Sequence, residues 1–574
     1  MEIAFIPFLA PLIASLILAL PWKLSEKIIS YITLASLVTA LWGAIFQLDI
    51  FITNDLRPFE VVITSLKVAD HDFIISSWID MYGLGYLIVS LILGLIVTKF
   101  SHSYLHLEKG YQRYFSTILF FLFGLTVLSI AGHLDTFFAG WEIVGFSSFL
   151  LISFYRNHTR SVNNACRIYN IYRICDIGLL SGAVLGHILW KEAATFSVLN
   201  EVSVSLVQET QSFNLIILSL CLIFASLGKS AQFPFYNWPA RAMEGPTPSS
   251  AIFYGALSIH AGILLLIRTE VIWSNLGGMQ ILIGLIGLIT FVLSRVQKNV
   301  QSNIKGKIAY KITSHLGLMF ILLSFKQFEV TFVYMILHAI YRCVEILISP
   351  SIVASSDSTI KIRKTVPATL FLLSSMDFSF YRFVFIRRFI NRIVSMRIIG
   401  IVVFVSGLFV FIAKPEDYSL ILGGVGMFYS FRALLHQKMA FKISLDIFLS
   451  VMFLILSFVQ AHFEGGHLAS TYLYPILPSL IIVMSMCYLF RKKDLTHHHG
   501  LGTRYTWQAN IFMLGFMIIA GMPISSAFIA EDVLLEFLIP FDPGLTLMCL
   551  FIFMLNGVTL AKIYTRLFMG RVGG

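Results

Sequence analysis

Residues 213–227 read FNLIILSLCLIFASL and run directly into residues 228–250, GKSAQFPFYNWPARAMEGPTPSS. The first piece is apolar enough to lie in lipid, yet a charge, Lys229, follows it at once. Pro234 and the Pro246-Thr247-Pro248 turn then break the helical hydrogen-bond ladder beside that charge. A lysine at membrane depth next to broken helices is the pattern of a path for charge through a bilayer.

The rest of the chain agrees with a lipid environment. Of 574 residues, 57% are hydrophobic and 12% charged, with mean hydropathy +0.85. Apolar runs of about 18 residues recur throughout, which predicts a polytopic, all-α membrane protein. The unbroken runs at 91–97 and 481–490 exclude an outer-membrane barrel, whose strands alternate in polarity. Candidate spans lie at 5–20, 28–48, 78–98, 114–131, 135–154, 168–190, 213–236, 249–267, 277–293, 308–325 and 330–353. Six more lie at 398–413, 419–431, 443–460, 474–489, 511–528 and 545–567, giving about 16 to 17 in all.

Function classes fall away on composition. Cys166, Cys175, Cys221, Cys343, Cys487 and Cys549 are scattered without a Cys-x-x-Cys pair, which predicts apolar packing rather than a cluster or disulfide framework. Neither a dinucleotide fingerprint nor a Walker loop is present, so no redox or nucleotide chemistry and no cofactor is expected in this chain. The His497–His499 run lacks the acids or cysteines that would complete a metal site. The net charge of +11 orients the protein and requires no nucleic-acid partner. Basic residues gather in the loops after odd-numbered spans (Lys23, Lys27; Lys99, Lys109, Arg113; Arg156, Arg160, Arg167; Lys298, Lys305, Lys307). The loops at 49–77 and 191–212 are acidic by comparison, the latter with Glu192, Glu201 and Glu209. Positive residues stay inside, so the N-terminus is expected outside. No cleavable signal is expected, since Glu2 rather than a basic cluster precedes the first apolar run. A basic stretch at 354–397 (Lys361, Arg363, Lys364, Arg382, Arg387, Arg388, Arg392, Arg397) suits either a lipid-facing linker or docking of a soluble partner.

Ionisable residues inside apolar runs carry the functional reading. They are Glu142, Arg173, Asp176, Lys229, His260, His338 and Arg342. Each costs a few kcal/mol in lipid, so each must meet a partner or water. Glu142 and Lys229 are expected to pair, either as a proton-loading element or as a static ion pair that fixes packing. His338 and Arg342 are one helical turn apart and share a face; the imidazole can relay a proton, the guanidinium can only set the field. A second break, Gly521-Met522-Pro523, precedes Glu531 and Asp532. Two broken segments far apart in sequence imply two structural repeats, each with a midplane site.

On these motifs the chain resembles the antiporter-like large-subunit superfamily of complex I (subunit L-like). That superfamily also holds Mrp-type cation/proton antiporters and the membrane subunits of Dab-type inorganic-carbon uptake complexes. The resemblance runs through WIDMYGL (78–84), GWEIVGFSSFLLISFY (140–155), YRICDIGLL (172–180), GKSAQFPFYNW (228–238), AMEGPTPSSA (242–251), NIKGKIAYKITSHLGLMF (303–320) and residues 521–535. It implies two inverted repeats within regions 1–112 (N-terminal helices), 113–270 (first repeat), 271–353 (start of the second), 354–505 (divergent insert) and 506–574 (end of the second). It implies that Glu142 and Lys229 are the family's acid–lysine pair, Asp176 its acidic neighbour, Lys305 a channel lysine and His338 its central histidine. Three departures stand out: Phe253-Tyr254 where the family has a histidine, Arg342 where it has a lysine, and Glu531 where it has the terminal lysine.

The resemblance implies a proton- or cation-translocating membrane subunit in the bacterial inner membrane. Its partners would be other subunits of a complex I-like assembly, or a large soluble zinc-binding subunit if the chain is Dab-type. An Mrp-type antiporter role is the third possibility, and proton and sodium remain equally open as the ion.

Overall fold

The structure is a computed structural model. It describes residues 6–20, 22, 24–68, 71–190, 195–197, 212–301, 303–349, 418–436, 439–461, 465–523, 525–538 and 542–570. The basic stretch at 354–397, the expected span at 398–413 and the acids Glu192, Glu201 and Glu209 lie outside the described residues. The chain divides into two units. The first is Met1–Tyr155 with Arg167–Asp377, and the second is Arg156–Cys166 with Phe378–Gly574.

The first part of the chain forms α1 (Ile6–Ala19), α2 (Glu26–Thr53), the strands β1 (Phe59–Val68) and β2 (His71–Ile79), α3 (Met81–Tyr104), α4 (Tyr111–Ser129), α5 (Leu134–Ile152), α6 (Thr159–Trp190) and α7 (Ser212–Lys229). After α8 (Trp238–Ala242) comes a broken helix, α9 (Thr247–Arg268), then α10 (Glu270–Trp273), α11 (Gly277–Val300), α12 (Ile304–Ser324) and α13 (Phe328–Ile348). Later come α14 (Tyr418–Leu435), α15 (Ala440–Ala461), α16 (Gly465–Leu489), α17 (Thr506–Ile519), α18 (Ser526–Leu538) and α19 (Pro543–Phe568). Among the described residues eleven helices are long and apolar enough to cross a membrane, and four shorter apolar helices accompany them. This is an all-α polytopic membrane protein in its spans. Ile281, Leu285, Leu288 and Val292 of α11 are exposed, as a helix bathed in lipid requires.

One element departs from expectation. Residues 49–77 read as an acidic loop, but Phe59–Val68 and His71–Ile79 pair as antiparallel strands with a bulge between Val62 and Thr64. The β-branched residues Val61-Val62-Ile63-Thr64 of β1 and Ile74-Ile75 of β2 favour strands over helix, and the charges around them obscured that signal. The hairpin end is stitched to the turn before α5: Gly132 N donates to Ser76 O at 2.9 Å and Trp78 N to Ile130 O at 3.0 Å. A Cβ on Gly132 would sit 2.1 Å from Ser76 Oγ, so only glycine permits this approach. Arg268, at the end of α9, donates to Asp80 Oδ1 at 2.5 Å and to Ala131 O at 3.3 Å. One guanidinium thus fastens the broken helix to the N-cap of α3 and to the turn after α4.

Helix breaks leave carbonyls to be satisfied, and side chains do it. Within α9 the turns widen to π geometry over Ala251–Ala256 and tighten to 3₁₀ over Ser258–His260. The Leu257 carbonyl accepts from Tyr86 Oη at 2.7 Å. Below α7, Trp238 Nε1 donates to Gly228 O at 2.9 Å and Phe233 N to Thr290 Oγ1 at 2.9 Å. These bonds let irregular backbone persist where water is scarce.

In the second unit α14 ends under Lys562 of α19, which donates to Leu434 O and His436 O at 2.7 Å each. Arg432 grips Asp446 with two donors, and Asn556 bridges Ser430 and Ser450. Residues 520–525 separate α17 from α18, with Gly521 at φ +64°.

Glycine also sets helix spacing. A Cβ on Gly287 of α11 would lie 2.6 Å from Gly317 O, and one on Gly317 of α12 would lie 2.7 Å from Gly287 O. Replacing Gly317 with Leu should therefore force the two helices apart and cost about 1 to 3 kcal/mol, the usual range for overpacking. Thermal unfolding of the detergent-solubilised protein checks this; an unshifted midpoint would show that the contact is loose.

His133, between α4 and α5, is buried; its Nε2 lies 3.8 Å from Glu60 Oε1, and neither imidazole nitrogen has a hydrogen-bond partner among the described residues. Burial pushes its imidazole below the usual range, against the pull of Asp135 and Glu60. A folded-state value below the unfolded one stabilises the fold above about pH 6.5 and loses that contribution as pH falls through the lowered value. The wild type should therefore lose more thermal stability between pH 7 and 5 than His133→Asn, measured by melts at both pH values.

Candidate functional site

Four charges buried in the first unit lie on three helices. α5 presents Glu142, α6 presents Arg173 and Asp176 one turn apart, and the end of α7 presents Lys229, 1% exposed. Arg173 Nη1 donates to Glu142 Oε1 at 2.6 Å. Trp141 Nε1 donates to Asp176 Oδ1 at 2.5 Å, and Lys229 Nζ donates to the Trp141 carbonyl oxygen at 2.8 Å. The ammonium also lies 4.8 Å from the Trp141 ring centroid and 4.6 Å from that of Tyr172, within cation–π range. A Cβ on Gly145 would stand 3.1 Å from Lys229 Nζ, so this glycine leaves the ammonium its room.

The expected Glu142–Lys229 contact is thus redistributed. The glutamate takes the guanidinium, whose rigid fork makes the tighter charge-assisted bond. The lysine is held by a peptide carbonyl and two ring faces, while Asp176 first and Glu142 second act on it through space. Beyond Tyr172, aromatic edges continue through Trp238 to Tyr254 at centroid spacings of 5.3 and 5.2 Å. Ser230 Oγ, Ser250 Oγ and Gln232 Oε1 are buried there without a hydrogen-bond partner among the described residues. Polar atoms in that state recruit water.

A second polar cluster is built on α9, α12 and α13. His260 Nε2 and His338 Nδ1 are 3.0 Å apart, and Arg342 Nε donates to His338 Nε2 at 3.3 Å. Arg342 Nη1 also donates to Glu345, whose other oxygen accepts from Lys311 Nζ at 2.9 Å. His315 stacks on His338 with centroids 5.3 Å apart and bonds to Tyr334. The sequence reading named His260, His338 and Arg342 and missed His315, Tyr334, Lys311 and Glu345. The signal was available: Tyr334, His338, Arg342 and Glu345 fall at steps of 4, 4 and 3 along one helical face. Asp80 and Arg268 were also missed, because they sit at helix ends where charge is unremarked.

Lys305 is placed at the Pro-Thr-Pro end of α9. Its Nζ donates to Thr247 Oγ1 at 2.9 Å, and that hydroxyl also meets Tyr104 Oη at 3.1 Å. Glu531 and Asp532 are buried on α18 in the second unit. A Cβ at Gly521 would fall 2.0 Å from Glu531 Oε2, so the helix break and the buried acid are built together.

Residues 131–376 match the family described as NADH:quinone oxidoreductase/Mrp antiporter, TM. That segment, residues 131–376, is an antiporter-type membrane domain. The matched segment of the antiporter-type domain includes Glu142, Lys229, His260, Lys305 and His338. NADH-quinone oxidoreductase subunit L of Buchnera aphidicola subsp. Schizaphis graminum (strain Sg) is 32% identical over 361 residues, 62% of this chain and 58% of that protein. Subunit L of Escherichia coli (strain K12) is 29% identical over 360 residues, with the same shares of 62% and 58%. The chain therefore spans under two thirds of the length of these curated relatives. Among solved structures, one of the membrane-bound sulfane sulfur reductase (MBS), an archaeal respiratory membrane complex, aligns with TM-score 0.51 and 18% identity, covering 60% of this chain and 70% of that one. That likeness supports the fold alone.

Breaking the buried pair should be costly in a specific way. Glu142→Gln removes the carboxylate that Arg173 Nη1 holds and should cost about 3 to 5 kcal/mol, the range for removing one partner of a buried pair. Glu142→Gln combined with Arg173→Gln should recover part of that loss. Unfolding of the three variants in mild detergent closes the cycle, and a double variant no better than the single would contradict the pairing.

Proposed function

We propose that this chain is the ion-translocating membrane subunit of a hetero-oligomeric, complex I-like assembly in a bacterial cytoplasmic membrane, its N-terminus outside. The observation that supports it most is Lys229: a buried ammonium at a helix break, held by a carbonyl and ring faces rather than locked to an acid. Glu142 and Asp176 balance Arg173 and Lys229, so the cluster is electroneutral when all four are charged. A proton arriving on Asp176 makes it net positive, and Lys229 restores neutrality by releasing its own proton. The way out runs past Tyr172 and the polar atoms of the α9 break toward His260 and His338, which lie 3.0 Å apart. Arg173 cannot deprotonate and is bonded to Glu142, so the exchange runs between the other two groups.

The subunit itself performs no redox step in this reading; partner subunits supply the driving reaction. The names of the subunit L relatives support such partners, and the acid–lysine–histidine chemistry favours protons.

Lys229→Met keeps the volume of the side chain and removes its proton. In vesicles containing the purified complex, flux should fall to background while the partner subunits still co-purify with the variant. Undiminished flux would overturn the assignment. Co-purifying redox subunits support the complex I-like reading, whereas a large soluble zinc protein alone would replace it with an inorganic-carbon assembly.

A further inference from the structure

The hydrogen bonds around His338 have a direction. Arg342 Nε can only donate, so His338 Nε2 is the acceptor and the ring proton sits on Nδ1. His338 Nδ1 then donates to His260 Nε2, and His260 Nδ1 donates to the Ala256 carbonyl. Both imidazoles are neutral in this arrangement, and every ring proton points away from Arg342. A guanidinium does not release a proton, so the relay ends there unless Arg342 moves.

On its other side Arg342 bonds to Glu345, whose two oxygens are taken by Arg342 and Lys311, and its guanidinium lies 5.0 Å from the Tyr341 ring centroid. Its side chain is 19% exposed and that of Lys311 34%, against 5% for Arg342, so this pair lies where the buried chain meets its surroundings. His338 and Glu345 are seven residues apart on one face, about 10.5 Å along the helix, with the guanidinium between them. Lys311 and His315 face Glu345 from α12, Lys298 acts on it from α11, and Arg295 adds to the positive field around His315.

We propose that Glu345 is the proton-accepting group at the far end of the histidine relay, and that Arg342 is a positioning residue that gates its connection to His338. A proton arriving on His260 Nε2 takes away the acceptor of His338 Nδ1–H; the His338 ring turns over, the Nε2–H bond at His260 breaks as one forms at His338 Nε2, and the resulting imidazolium presents Nδ1–H toward Arg342. The imidazolium and guanidinium repel, Arg342 swings away, and water enters the space it leaves. One N–H bond at His338 Nδ1 breaks and one O–H bond at Glu345 forms, turning an imidazolium and a carboxylate into two neutral groups. Neutral Glu345 loosens its hold on Arg342, which returns to His338 and closes the path. Release of the proton from Glu345 to water resets the pair with Lys311.

This inference rests on the translocation reading above, and its test separates the two. Flux is measured against pH in vesicles containing the intact complex. Glu345→Gln should lower flux about a hundredfold, the low end for loss of a proton-transferring group, with assembly unchanged. Glu345→Asp should keep flux within a few-fold of wild type but shift its pH profile. Combining Glu345→Gln with Arg342→Lys, which supplies a side chain able to carry the proton itself, should restore most of the flux. Wild-type flux in Glu345→Gln, or no recovery in the double variant, overturns the proposal. If Glu345→Gln is silent while Lys229→Met abolishes flux, only this inference fails; a silent Lys229→Met removes the parent reading.

Discussion

A charge placed in hydrocarbon must be answered by its surroundings, and the first unit is organised around that demand. Arg173 answers Glu142, the Trp141 indole answers Asp176, and the Trp141 carbonyl with two aromatic faces answers Lys229. Remove any of these answers and a bare charge remains, which lipid tolerates less than any packing defect. The glycine at 145 and the break after Lys229 follow from the same demand, since both make room for the ammonium and its approach. The second cluster obeys it too, with Glu345 answering two cations and His338 answering a third donor on its ring.

The breaks in α9 and below α7 set these groups in place without leaving stranded backbone. Tyr86, Trp238 and Thr290 each lend a side chain to a peptide group that a regular helix would have satisfied internally. The π turn inside α9 is therefore a purchase of geometry: it lets His260 face His338 at 3.0 Å from a helix that also reaches Arg268 at its end. The Arg268–Asp80 bond then ties that end to the N-cap of α3.

Much of this was legible in the sequence. Charges inside apolar runs named Glu142, Arg173, Asp176, Lys229, His260, His338 and Arg342, and prolines marked the breaks. Partner choice was not legible, because it depends on how far each helix is rotated about its axis. Glu142 could meet Lys229 or Arg173 with equal sense on paper, and only the packed helices give it to Arg173. The hairpin escaped because its β-branched residues are diluted by charges, and Glu345 because a glutamate near a span end reads as solvated. Residues 354–397, which carry the densest basic charge, lie outside the described residues, so their two readings stand as the sequence left them.

Trp141 and Glu142 are consecutive residues of α5, yet between them they touch all three of the other buried charges: the carbonyl holds Lys229, the indole holds Asp176 and the carboxylate holds Arg173. A small twist of α5 about its long axis would lengthen or shorten all three contacts together, as a cam moves several followers at once. Any rotation of that one helix reaches all three charges in a single motion, with no wire of residues between them.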